Sequence, residues 1–195
     1  AFFLLCLAGC ATSPPENQDD PCELLAEYLV WYDGASEAAD RWCVPEGRIL
    51  AFIGQESSFV ADAKPPRTKI LWVLPGPRAS SAYGYPQAKD GTWSDFKKAT
   101  GRYLASRDNF DDAAQFVGWY VARAHQIARI PKNDAYRHYL AYHEGVGGFQ
   151  RGTFNKKRWL QSVASRVDQN AKTFQSQLAG CRDKLESGAW WNPFS

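Results

Sequence analysis

Pro45-Glu46-Gly47-Arg48-Ile49-Leu50-Ala51-Phe52-Ile53-Gly54-Gln55-Glu56-Ser57-Ser58-Phe59 carries the strongest architectural signal in the chain. Pro45 suits a first helical position. Ile49, Phe52 and Ile53 then recur at i, i+3 and i+4, the spacing of a buried helical stripe. Position i+7 on that stripe is Glu56, and Phe59 follows at i+10. A carboxyl group on a core-facing line loses water, which disfavours its ionised form and raises its pKa. A carboxylic acid that keeps its proton near neutrality can serve as a general acid. The same pattern also fits a Glu paired with a buried Arg, or a stripe that ends at Ile53.

The segments around this helix are also mostly helical. Leu24, Leu25, Tyr28, Leu29 and Tyr32 form one stripe, predicted to stop near Asp33-Gly34. Further helices are predicted over 90–100, over 111–130 with Pro131 as the stop, over 133–143, and over 156–178. Glu144-Gly145-Val146-Gly147-Gly148 reads as the end of the third of these. Residues 64–78 break the pattern: prolines bracket the apolar run Ile70-Leu71-Trp72-Val73-Leu74, a short strand or flap. That flap is expected to pack on the domain; covering a groove or dipping into a membrane are the alternatives. The fold class is therefore mainly α, with a Pro-rich β-like flap.

With 195 residues, 45% hydrophobic and 23% charged, the chain fits one globular domain. A formal net charge of +2 gives no argument for nucleic acid as a partner. Aromatic residues make up 14%, enough to fill a core and leave some for a groove where flat sugar or apolar faces can stack, two readings that composition does not separate. His125, His138 and His143 do not share a helical face, so no zinc site is expected, and no cofactor is implied.

Residues 1–9 are apolar, uncharged and too short to span a bilayer as a helix. They read as part of a secretory signal. Leu7-Ala8-Gly9-Cys10 resembles the bacterial lipoprotein motif, in which the Cys becomes the first mature residue and carries lipid. That resemblance implies a lipid on Cys10, and Ala11 in place of Asp leans towards the periplasmic face of the outer membrane. Residues 10–21 then form a polar, proline-bearing tether and 22–195 the folded domain. Setting aside Cys6 and Cys10 leaves Cys22, Cys43 and Cys181. Cys22–Cys181 is preferred because it closes the longest loop, with Cys22–Cys43 close behind.

Three short motifs occur in order: Gln55-Glu56-Ser57-Ser58-Phe59, Ser81-Ala82-Tyr83-Gly84-Tyr85-Pro86-Gln87, and Ala141-Tyr142-His143-Glu144-Gly145. Together they resemble the lytic transglycosylase domain of the soluble type (SLT), related to goose-type lysozyme, in a subgroup of lipid-anchored members. The likeness spans roughly residues 46–178. Tyr85-Pro86 stands where the family commonly has Leu-Met, His143 where it has Asn, and the interval from Glu56 to Ser81 is longer than usual.

The resemblance implies a lysozyme-like fold acting on peptidoglycan glycan strands at the β-1,4 bond between N-acetylmuramic acid (MurNAc) and N-acetylglucosamine (GlcNAc). Glu56 would be the single general acid and base, closing a 1,6-anhydro ring without water. Ser81, Tyr83, Gln87, Tyr142, His143 and Glu144 would bind or position substrate: Gln87 through its amide, Tyr142 by donating its phenolic hydrogen to Glu56 or the sugar, His143 as a groove-wall group. Ser57 is expected to cap its own helix end. For Glu144 a loop residue bonded to nearby groups is the competing reading. A hydrolytic muramidase of the same fold and a non-catalytic wall-binding lipoprotein are the alternatives. Oligomeric state is left open.

Overall fold

The computed structural model describes residues 13–70 and 74–187. The apolar leader, Cys10 with its lipid assignment, and positions 71–73 of the flap lie outside the described residues. Along the chain come α1 (Pro21–Glu27), α2 (Leu29–Trp42), α3 (Glu46–Ser57), β1 (Arg67–Ile70), β2 (Leu74–Arg78), α4 (Asp90–Thr100), α5 (Phe110–Ala128), α6 (Ala135–Glu144), α7 (Val146–Gln150), a 3-10 turn (Thr153–Lys156) and α8 (Arg158–Ser187). The architecture is mainly α, as expected, and consistent with a lysozyme-like domain.

Helix α3 runs through the centre, packed between α8 and α5. Ile49, Leu50, Phe52 and Ile53 are fully buried, so the helix is enclosed on more than its predicted stripe. Its register against α8 is pinned near its start. A Cβ on Gly47 would stand 2.5 Å from the backbone nitrogen of Gln175, so the two helices approach this closely only over glycine. The Gly47 N–H donates to Gln175 Oε1 at 3.0 Å, satisfying one of the free donors of the first turn. Beside it, buried Glu46 pairs with Arg182 at 2.5 Å. Glu56 lies ten residues on, about 15 Å along the axis at 1.5 Å per residue. Anchoring one end of α3 thereby places the other.

The first predicted helix is two. Asp20 caps α1 by accepting from the Cys22 and Glu23 N–H groups, with Pro21 in the first position. The chain bends at Tyr28, whose ring stacks on Trp31 at 4.3 Å. Helix α2 then continues through Asp33-Gly34 to Trp42. Gly34 does not stop it, because that position faces Asp111 of α5 so closely that a Cβ would lie 3.1 Å from the Asp111 Cα. The bend lets α1 lie on α8, where Cys22 and Cys181 form a disulfide across 159 residues, while α2 lies on α5. Cys43 is free and exposed.

Residues 13–20, read from sequence as a tether, lie against the domain. Tyr28 donates its hydroxyl to the Ser13 carbonyl at 2.8 Å, Asn17 bonds Glu23 at 2.8 Å, and Pro15 is buried. The glycine run after α6 forms α7 instead of a loop, and α8 extends to Ser187, beyond the predicted end. The flap is a two-stranded antiparallel ribbon pairing Arg67 with Arg78 and Ile70 with Leu74. Arg67, Thr68, Pro77 and Arg78 are exposed. Among the described residues no helix is long and apolar enough to cross a membrane.

Candidate active site

Glu56 occupies the last turn of α3, which closes with Ser58 in a left-handed conformation. Ser57 turns inward and donates to the Ile53 carbonyl at 3.1 Å, so it serves the helix rather than the groove. Above Glu56 opens a groove of about 420 Å3, within the usual range for a ligand site. Glu56 as a residue is partly accessible from this groove, yet its Oε1 is removed from water and has no hydrogen-bond partner. Burial therefore pushes its carboxyl from an ordinary 4.5 up to about 7, and the Tyr139 hydroxyl, hydrogen-bonded to it, pulls part of the way back.

A set of rings supports this carboxyl. Phe52 meets Tyr139 and Tyr142 edge-on at 5.3 and 5.5 Å, and Tyr142 meets Tyr120 at 4.9 Å. Phe116, Tyr120 and Tyr142 line the groove through this interlocked cluster. Tyr142 donates its hydroxyl to the Pro86 carbonyl at 2.6 Å, and Tyr120 donates to the Ala141 carbonyl at 2.8 Å. The phenol that bonds Glu56 is thus Tyr139, and the expectation that Tyr142 does so is corrected: its hydrogen is held by the turn above it.

One wall of the groove comes from the segment that leads into α4. Gly84 (φ +73°) begins a tight turn in which its Cβ would collide with the Arg107 carbonyl, so only glycine fits. Gln87 closes the turn at φ +46° and donates both amide hydrogens inward, to Ala63 at 2.9 Å and Gly84 at 2.8 Å. Its amide oxygen accepts no donor among the described residues, and Gln87 is one of the residues that line the groove. His143, Glu144 and Gly145, at the end of α6, also line the groove. Burial works against ionisation of Glu144, but donors from Lys157, Thr153 and His143 outweigh it and hold the carboxyl down at about 2. Lys157 lies 2.7 Å away and His143 Nδ1 3.0 Å. The groove therefore holds one carboxyl that keeps its proton towards neutrality and one that is fixed as an anion.

The family model described as the transglycosylase SLT domain matches residues 1–181. The chain belongs to that family. No curated protein and no solved structure gives a significant match to it.

Of the sequence-derived site residues, the SLT domain brings Glu56, Gln87, Tyr142, His143 and Glu144 to one groove. Ser81 and Tyr83 do not line it. Ser81 Oγ accepts from the Asp90 N–H at the start of α4, at 3.2 Å, and the Tyr83 hydroxyl bonds Asp108 at 3.1 Å. The physical reason is parity: side chains alternate along an extended segment, and here Ser80 and Ala82 face the groove. The antiparallel bridge between Tyr83 and Ala88 sets that phase, and no local sequence signal does.

Sequence reasoning missed Tyr139, Lys89 and Thr92. Tyr139 stands three residues before Tyr142 on α6, and that i, i+3 relation was the available signal for a second phenol on one helix face. Among the described residues no group of three or more His, Cys, Asp or Glu is arranged to hold a metal ion.

Proposed function

We propose that this SLT domain is a peptidoglycan lytic transglycosylase that cleaves the MurNAc-β-1,4-GlcNAc bond with Glu56 as its only acid and base. The observation that carries the reading is the desolvated, unpartnered Glu56 oxygen at a groove built by the three motif segments. The neutral carboxyl donates its proton to the glycosidic oxygen as the bond to the anomeric carbon breaks. The resulting carboxylate then takes the proton of the muramic C6 hydroxyl, whose oxygen closes on that carbon. The 1,6-anhydro ring forms and Glu56 regains its proton, so no water is consumed.

A two-carboxylate scheme would require a second group able to attack or to activate water. Glu144 is a poor candidate, since Lys157, Thr153 and His143 occupy its oxygens. An intramolecular nucleophile needs no such partner, because it is already positioned. The free oxygen of Gln87 suits a sugar N-acetyl N–H. The proposal extends to place: a lipid on Cys10 would hold the domain at the periplasmic face of the outer membrane, close to its polymeric substrate.

The test is digestion of purified sacculi by the wild type and by Glu56→Gln. The wild type releases muropeptides; Glu56→Gln binds sacculi and releases none. Equal release by both overturns the assignment. Binding without release by the wild type favours a wall-binding lipoprotein instead.

A further inference from the structure

Lys89 lines the groove, and among the described residues its ammonium group has no hydrogen-bond or ion-pair partner. It occupies the N-cap position of α4 but caps nothing with its side chain. The neighbouring acid does not neutralise it: the Asp90 carboxylate is taken by Arg107 at 2.9 Å. Arg107 also donates to the carbonyls of Ala88 at 2.8 Å and Ser81 at 3.0 Å. One guanidinium therefore clamps the chain on both sides of Lys89, and its plane rests over the Tyr83 ring at 5.4 Å. Glu144, which also lines the groove, already has its counter-charge in Lys157. The groove thus combines a neutral acid, a satisfied anion and one uncompensated cation on a rigid wall.

Resting on the transglycosylase reading, we infer that Lys89 binds a carboxylate carried on the lactyl ether of the muramic sugar. Every second sugar of the strand bears that ether, and chitin, otherwise built alike, does not. The carboxylate has two sources: an acid of the peptide stem where a stem is present, or the lactyl group itself where the stem has been removed. Either would sit beside the scissile linkage and would set which sugar of the alternating strand faces Glu56. Lys89 is then a specificity-determining residue that touches substrate away from the reacting atoms. A partly exposed pair of this kind gains modest affinity, and added salt weakens it.

The test measures binding, so it does not depend on the reaction. Glu56→Gln and the double variant Glu56→Gln/Lys89→Gln are titrated with three ligands: stemmed glycan strands, amidase-stripped strands with free lactyl carboxylates, and chitin oligosaccharides. The expected result is a Kd for the anionic ligands raised about fivefold by Lys89→Gln, with chitin unchanged. Lys89→Glu should weaken the anionic ligands further, Lys89→Arg should restore them, and salt should weaken only the forms that keep the cation. A loss confined to stemmed strands identifies an acid of the stem as the source, a loss confined to stripped strands identifies the lactyl carboxylate, and a loss on both shows that Lys89 takes either. An unchanged Kd for both, or an equal loss on chitin, overturns the inference while leaving Glu56 as the acid untouched. Failure of the transglycosylase reading would appear separately, as wild-type protein that binds strands and never cuts them.

Discussion

Tyr139 is hydrogen-bonded to the Glu56 carboxyl and is the polar group that opposes the effect of burial on it. Burial alone would hold the proton more tightly; the phenol stabilises the carboxylate and keeps the group near neutrality. A single residue that must first give and then take a proton works best with a pKa close to the working pH. The pair Glu56–Tyr139 supplies that balance.

The pH profile follows from it. Protonated Glu56 is the acid, so kcat/KM should fall as pH rises through about 7. Tyr139→Phe removes the stabilisation of the anion and should move this alkaline limb upward by about half a pH unit or more. Initial rates on sacculi across pH check it. A limb that stays put, or moves down, would show that the phenol does not act on Glu56.

Glu56→Gln should be less active by about a thousandfold, in the range of lost general acid-base catalysis. It should also be more stable, in a pH-dependent way. Between 4.5 and about 7 the folded protein keeps a proton that the unfolded chain releases, so wild-type stability falls as pH rises through that window. Above it the wild type carries the full burden of a buried carboxylate, at most about 3 kcal/mol. Melting curves should separate the variant from the wild type at pH 8 and bring them together at pH 4. An offset equal at both values would contradict the buried-acid assignment.

Glu144 has the opposite sign. Its carboxyl is held at about 2, so its pairing contributes stability above its unfolded value of 4.5 and loses it as pH falls through 2. Lys157 is 40% exposed, which limits the effect. Lys157→Met should destabilise by about 1 kcal/mol at pH 7 and by much less at pH 2. Denaturant unfolding at the two pH values measures this.

Reducing the Cys22–Cys181 link, or replacing both with Ala, should remove about 2–4 kcal/mol of stability. Both cysteines lie in the α1–α8 contact, away from the groove residues, so activity per folded molecule at 25 °C should hold. A large loss of activity in a fully folded double variant would mean that α8 transmits strain to α3.

How far the sequence carried depends on which force sets each feature. Glu56 was legible because a 3.6-residue stripe with one carboxyl in it is a local pattern, and tertiary packing then buried the helix from Glu46 to Ile53 and left its last turn at the groove. Asp90–Thr100 keeps its predicted bounds, and the structure closes it with Gly101 in a left-handed conformation. Gly34 misled because a helix-interior glycine and a stop signal look alike in one dimension; only the approach of Asp111 tells them apart. The exchange of Tyr142 for Tyr139 at the acid, and of Ser81 and Tyr83 for Ser80 and Ala82 at the groove, depends on which carbonyl or strand edge lies opposite. That information is long-range.

Whether one buried acid suffices without water is settled by digesting sacculi in H2-18O and weighing the released muropeptides. Glu56-dependent, intramolecular ring closure predicts 1,6-anhydro-MurNAc ends that carry no 18O and disappear with Glu56→Gln. Reducing MurNAc ends labelled with 18O would contradict it and make the enzyme a muramidase.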